Sequence, residues 1–238
     1  MQAESADAGV QVDRGAPAQT CAIPVTVYRQ NCSLIWCPVT HRAVVMDPGG
    51  DLGHVRAEAA RRDLAIEGIL LTHGHADHAG GAAELAALCG VPIFGPQRGD
   101  RFLLERLPGR LEDWTDAVQW LEDDARLQVG DVRLEVRHCP GHTPGHVVYV
   151  DRASNHAWVG DVLFPGSIGA TESSYGDRGQ LIRSIVERLW PYGQAMRFTP
   201  GHGRGSTFGF EREFNPFVCD DVTELMGLRE PVMPFPAG

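Results

Sequence analysis

Lysine is absent from this 238-residue sequence, so all 21 of its side-chain cations are arginines. With a net charge of −10, no basic face of the kind that nucleic acid or an anionic membrane requires is expected. No apolar run approaches the roughly 18 residues of a membrane span. Cysteine is sparse: Cys21, Cys32, Cys37, Cys89, Cys139 and Cys219 contain no CxxC pair and are too few for a disulfide scaffold. They read as small buried hydrophobes in a reducing compartment. The N-terminus has no apolar segment of the secretory type, so a cytoplasmic location is expected. Internal repeats are lacking too. What is present is ordinary globular composition, 43% hydrophobic and 22% charged, which excludes a mostly disordered chain. Residues 1–20, polar and rich in Ala and Gly, are expected to form a mobile tail, and residues 21–238 one domain.

The pattern alternates between strands and helices. Ile23–Arg29, Ser33–Trp36 and Ala43–Met46 suggest an antiparallel meander. Asp47-Pro48-Gly49-Gly50 breaks it, and Asp51 is placed to cap a helix running to about Leu64. A wholly apolar strand, Gly68–Thr72, precedes a polar loop and the Ala-rich helix Gly80–Leu88. Arg126–Val129 and Val132–Arg137 flank Gly130-Asp131 as a hairpin. Residues 178–190 carry Leu181, Ile185 and Leu189 on one helical face. Residues 97–124 are charged, partly helical in expectation, and placed to wall a substrate cleft. The order predicts helices flanking sheets, not a bundle or a pure sandwich.

The chemistry sits in the loops. His73-Gly74-His75-Ala76-Asp77-His78 crowds three imidazoles and a carboxylate behind a buried strand. Positions two apart diverge on a helix, so the motif is expected on a loop. Imidazole and carboxylate are the ligand types of zinc, iron and manganese. Pro140–His146, Gly160-Asp161 and Pro200-Gly201-His202-Gly203 each present further donors at a strand end between Gly or Pro. This is too many donors for one tetrahedral zinc, and it suits two metals about 3.5–4 Å apart sharing a carboxylate.

HxHxDH followed by His, Asp and His on successive loops resembles the metallo-β-lactamase superfamily. Gln30-Asn31-Cys32-Ser33, Asp47–Gly50, Pro140–His146, Gly166-Ser167-Ile168-Gly169 and Asn215-Pro216-Phe217 are similar to its glyoxalase II-like (hydroxyacylglutathione hydrolase-like) branch, over about residues 22–218. The resemblance implies an α/β (α+β) fold, a four-layer αββα sandwich with metals at one edge. It also implies two divalent metal ions, zinc first, with iron or manganese as alternatives. One would take His73, His75 and His142, the other Asp77, His78 and His202, with Asp161 bridging. Asp77 and Asp161 would be catalytic, and a metal-bridging hydroxide would attack a thioester such as a 2-hydroxyacyl-glutathione. His146 would be structural, Asp47 would orient a ligand imidazole through its far nitrogen, and Tyr175 would reach the substrate. Two divalent ions, two carboxylates and a hydroxide leave about +1 at the site, favouring an anionic thioester or ester. His41, His54, His138 and His156 have no assigned part.

Two departures stand out. Too few residues follow Phe217 for the C-terminal helical domain that binds glutathione in classical glyoxalase II, so the likeness is to shorter, single-domain members. Ala170 stands where relatives often have Arg, removing an anion anchor for which Arg178 is the nearby substitute. Alternative activities on the same motifs are a persulfide dioxygenase using one iron on His73, His142 and Asp161, and a lactonase, β-lactamase or phosphodiesterase. A non-catalytic binding protein would require lost ligands, and none is lost. Oligomeric state is not indicated.

Overall fold

The computed structural model of the protein describes residues 15–107 and 117–228. β1 (Gln19–Val25), β2 (Gln30–Trp36), β3 (Arg42–Met46), β4 (Ala65–Leu70), β5 (Ile93–Phe94) and β6 (Val118–Gln119) form the first sheet in sequence order. The first three are an antiparallel meander and the rest extend it in parallel. The second sheet draws on β7 (Arg126–Val129), β8 (Val132–His138), β9 (Val147–Asp151) and β10 (His156–Gly160). After the small hairpin of β11 (Leu163–Phe164) and β12 (Ser167–Ile168), β13 (Arg197–Pro200) and β14 (Ser206–Thr207) complete it in the order β14-β13-β10-β9-β8-β7. Only its β10–β13 pair is parallel.

Side-chain alternation explains the layers. On β2, Cys32, Leu34 and Trp36 face outward while Ile35 faces the second sheet; on β9, Val148 and Val150 face outward while Val147 and Tyr149 face the first. Both faces are buried, which is why these strands read as continuous apolar runs. The outer face of the first sheet is covered by α1 (Leu52–Arg61), the single turn α2 (Ala76–Ala79), α3 (Ala82–Cys89) and the short α4 (Arg101–Leu104). That of the second is covered by α5 (Arg178–Ser184), α6 (Phe208–Phe214) and neighbouring turns, with α7 (Asp220–Leu225) following. The result is the expected αββα sandwich. Leu134, fully buried between the sheets, offers a test. Leu134→Ala is expected to cost about 2–5 kcal/mol in denaturant unfolding, with metal stoichiometry unchanged.

Several expectations need correction. Of the tail at 1–20, residues 1–14 lie outside the described residues, but the rest is tied down: Ala16 N donates to Asp131 O at 2.8 Å, Ala18 N to Asp151 Oδ2 at 2.7 Å, and β1 starts at Gln19. Asp51 takes the N-cap position of α1, but its side chain does not cap the helix; the residue sits in a left-handed conformation (φ 49°) and its carboxylate accepts instead from Thr26 N at 2.8 Å. The HxHxDH motif is not all loop, because Asp77 and His78 lie in α2 and only His73 to His75 lie outside helix and strand. The 178–190 helix keeps its stripe, with Leu181, Ile185 and Leu189 all buried, but widens to a π-type turn over Ile185–Leu189 and tightens at Trp190–Tyr192, where Pro191 ends it. Within 97–124 the chain turns helical at Arg98–Leu104, and residues 108–116 lie outside the described residues.

Directionality places the site. β3, β4, β10 and β13 run in parallel pairs, so their carboxyl ends deliver Asp47, His73, Asp161 and His202 to one edge of the sandwich. The β8–β9 loop carries His142 there. Asn31 N donates to Gly201 O at 2.7 Å, closing the two sheets together at that edge.

Candidate metal centre

All seven expected donors converge, in two groups. His73 Nε2 and His142 Nε2 each lie 3.0 Å from His75 Nδ1, and these three atoms form one cluster. Asp77, His78 and His202 form another, with His202 Nε2 at 3.2 Å and His78 Nε2 at 3.8 Å from Asp77 Oδ2. Asp161 stands between them. Its Oδ1 is 3.4 Å from His78 Nε2, and its Oδ2 is 3.8 Å from both His142 Nε2 and His202 Nε2.

Each imidazole is oriented through its far nitrogen. His73 Nδ1 donates to Thr72 Oγ1 at 3.0 Å, because that hydroxyl spends its own proton on Asp47 Oδ2 at 2.6 Å. His78 Nδ1 donates to the same Asp47 Oδ2 at 2.9 Å. His142 Nδ1 donates to Ala170 O at 2.7 Å, and His202 Nδ1 to Tyr28 O at 3.2 Å. His75 Nε2 meets the Tyr175 hydroxyl at 2.9 Å. The inward nitrogens of His73 and His142 are therefore lone pairs, each 3.0 Å from His75 Nδ1, and a shared cation would engage all three. His78 Nε2 and Asp161 Oδ1 are buried with no hydrogen-bond partner, a cost that a metal bond would remove. The donor set thus fits two divalent ions of the zinc, iron or manganese type.

The electrostatics of the two clusters differ. Burial, then the neighbouring imidazoles, pushes His73 well below the usual histidine value and His75 down to about 4. Burial acts against the charge of His78 as well, but the Asp161 and Asp47 carboxylates overturn it and hold this imidazole at about 10. A proton therefore stands on His78 in the ion-free site. Burial opposes the charge of Asp161 too, yet His78, His142 and His202 keep its carboxyl far below the usual range.

His146 lies behind the cluster. Its ring stacks on His73 at 4.7 Å, and its Nε2 accepts from Asp161 N at 3.0 Å, fixing the backbone from which Asp161 projects. Asp47 serves two imidazoles at once, one directly and one through Thr72. Tyr175, singled out for the substrate, has its hydroxyl on His75, and Phe102 packs edge-on against its ring at 5.3 Å. Arg178 is exposed and lays its guanidinium 5.1 Å from the centroid of Phe217; among the described residues no hydrogen bond or ion pair joins it to the seven donors.

Sequence reasoning missed four supports. Thr72 could have been found as the residue between a buried strand and the first ligand. Asp100, buried in the charged stretch 97–124, accepts from Gly74 N at 2.9 Å and gave no signal. The carbonyls of Tyr28 and Ala170 are backbone groups, which no residue type announces. For the same reason the Ala170 departure leaves the His142 support intact.

Paired clusters sharing one carboxylate at the edge of an αββα sandwich define a metal-dependent hydrolase. The chain belongs to the metallo-β-lactamase superfamily, whose sequence profile matches residues 25–202. It is 39% identical over 204 residues to the hydroxyacylglutathione hydrolase GloC of Haemophilus influenzae, an alignment covering 82% of this chain and 96% of that one. Among solved structures it is similar to the B3 metallo-β-lactamase BLEG-1, with a TM-score of 0.74 and 30% identity, covering 84% of this chain and 99% of that one. It is also similar to TTHA1623 in a di-iron-bound form, with a TM-score of 0.73 and 32% identity, covering 83% of this chain and all of that one (100%). No helix among the described residues is long and apolar enough to cross a membrane.

Proposed function

We propose that the protein is a binuclear thioesterase that cleaves a small anionic thioester such as a 2-hydroxyacyl-glutathione, on one catalytic domain. The observation that carries this reading is the position of Asp161, within 3.4–3.8 Å of donors from both clusters. His73, His75 and His142 would hold one ion and Asp77, His78 and His202 the other, with Asp161 shared. Bound there, two divalent ions supply an acidified water and an electrophile for the thioester carbonyl oxygen.

The remaining work belongs to the chain. Asp161 fixes the spacing of the two halves. Burial raises the Asp77 carboxyl, but the hydrogen bond from His202 and the positive charge of His78 together outweigh it and hold Asp77 below its ordinary value. Asp77 is therefore ionised at neutral pH and can take the proton of the attacking water. A thiolate leaves without strong acid assistance, so no further acid is required. Phe102 and the Tyr175 ring form an aromatic wall beside His75. Zinc is our first assignment; the di-iron form of a 32% identical structure makes iron the next. All six cysteines are free, which suits a cytoplasmic enzyme.

The test is metal content and lactoylglutathione hydrolysis on one sample purified without added metal. About two ions per chain, with turnover, are expected. A single iron with oxygen uptake on glutathione persulfide overturns the reading in favour of a dioxygenase. Hydrolysis confined to lactones or β-lactams overturns the thioester assignment.

A further inference from the structure

The three-His cluster is assembled from two loops far apart in sequence, and one buried carboxylate joins them. Asp100 is fully buried at the start of α4. Its Oδ2 accepts from Gly74 N, between His73 and His75, at 2.9 Å and from Thr143 Oγ1, the neighbour of His142, at 2.8 Å. Its Oδ1 accepts from Gly145 N at 2.6 Å. The loops close so tightly on this carboxylate that neither glycine has room for a side chain. A Cβ on Gly74 would lie 2.7 Å from Leu103 Cβ, and one on Gly145 would lie 2.3 Å from Gln97 O and 2.5 Å from Asp100 N. Among the described residues no hydrogen bond or ion pair joins the Asp100 carboxylate to Asp77, His78 or His202.

We propose that Asp100 is a positioning residue for the three-His half alone: by accepting from both loops it sets the distance of His142 from His73 and His75, and so the affinity of that half for its ion. The proposal rests on the binuclear reading. Asparagine is the informative replacement. Whichever way its amide turns, an N–H faces Gly74 N or Gly145 N, donor against donor, while volume is kept.

The experiment measures zinc affinity by chelator competition in two backgrounds. His202→Ala leaves the three-His half whole, and His75→Ala leaves the Asp77–His78–His202 half. Adding Asp100→Asn is expected to weaken zinc binding about 10–100-fold in the first background and to leave it unchanged in the second, with equal far-UV circular dichroism. Equal weakening in both backgrounds, or none in the first, overturns the proposal. If Asp100→Asn does not fold, Thr143→Val removes one of the three donors; several-fold weakening confined to the His202→Ala background supports the role, and its absence overturns it. Failure of the unsubstituted protein to take two ions overturns the binuclear reading instead, and is seen before any variant is made.

Discussion

Asp161→Asn is expected to leave less than about a thousandth of kcat/KM, a loss of about 4 kcal/mol of transition-state stabilisation. Asp161 is the residue on which both clusters depend, and its volume is unchanged by the substitution. Asparagine sets an N–H among the His78, His142 and His202 nitrogens that Asp161 faces at 3.4–3.8 Å, and it removes the negative charge that two cations would share. Metal analysis should show the loss of at least one ion. Gly201→Ala should act nearly as strongly without altering any donor. A Cβ there would lie 2.0 Å from Asp161 Oδ1 and 2.6 Å from His78 Cε1, so the carboxylate and the imidazole must both move. Steady-state kinetics and metal content, with circular dichroism to show an intact fold, decide the matter. If Asp161→Asn kept two ions and wild-type turnover, the shared-carboxylate arrangement would be wrong.

The sandwich was legible where a local pattern mirrors a burial pattern. Val147–Val150 and Ala43–Met46 are apolar throughout because both sheet faces are covered, and Gly130, at φ +56°, marks its hairpin in the sequence. Legibility failed where a residue's local preference lost to a distant partner. Asp51 is a good helix cap by type, but its carboxylate goes to Thr26 N in the β1–β2 turn. Asp77 and His78 lie on a helix because convergence is achieved by different means in each half of the motif. His73 and His75 meet from a loop, whereas Asp77 and His78 project from a helical turn and are met by Asp161 and His202 from the other sheet. The site was legible as a list of donors because imidazoles and carboxylates between glycines are rare enough to notice. Its supports were legible only in part: Asp47 and His146 stand out by type and motif, whereas Asp100 and the carbonyls of Tyr28 and Ala170 gain meaning only from what the fold brings near them.

The two halves should part company as the pH falls. In the ion-free protein His75, at about 4, and His73, well below its ordinary value, are already unprotonated at neutral pH, so an ion bound between them expels no proton from either. His78, held at about 10 by Asp161 and Asp47 against the effect of burial, must lose a proton before its Nε2 can bind. His202, raised chiefly by its hydrogen bond to Asp77, adds to the same demand as the solution becomes acidic. One expelled proton lowers apparent affinity about tenfold per pH unit. Between pH 8 and pH 6 the His75→Ala protein, which keeps the second half, should therefore lose about 100-fold in zinc affinity. The His202→Ala protein, in which His73 and His75 have no proton to lose, should show a shallower slope over that interval. Chelator competition at fixed ionic strength measures both, and identical slopes would refute the assignment of the proton to His78. The same shifts govern the ion-free fold. His78, raised on folding, stabilises it in full below the ordinary histidine value of about 6.5 and ceases to do so as the pH climbs through about 10. His75, lowered on folding, removes stability as the pH falls from that ordinary value through about 4. The ion-free protein should accordingly be most stable near neutrality. The filled site, with lone pairs engaged and His78 stripped of its proton, should be far less sensitive on the alkaline side.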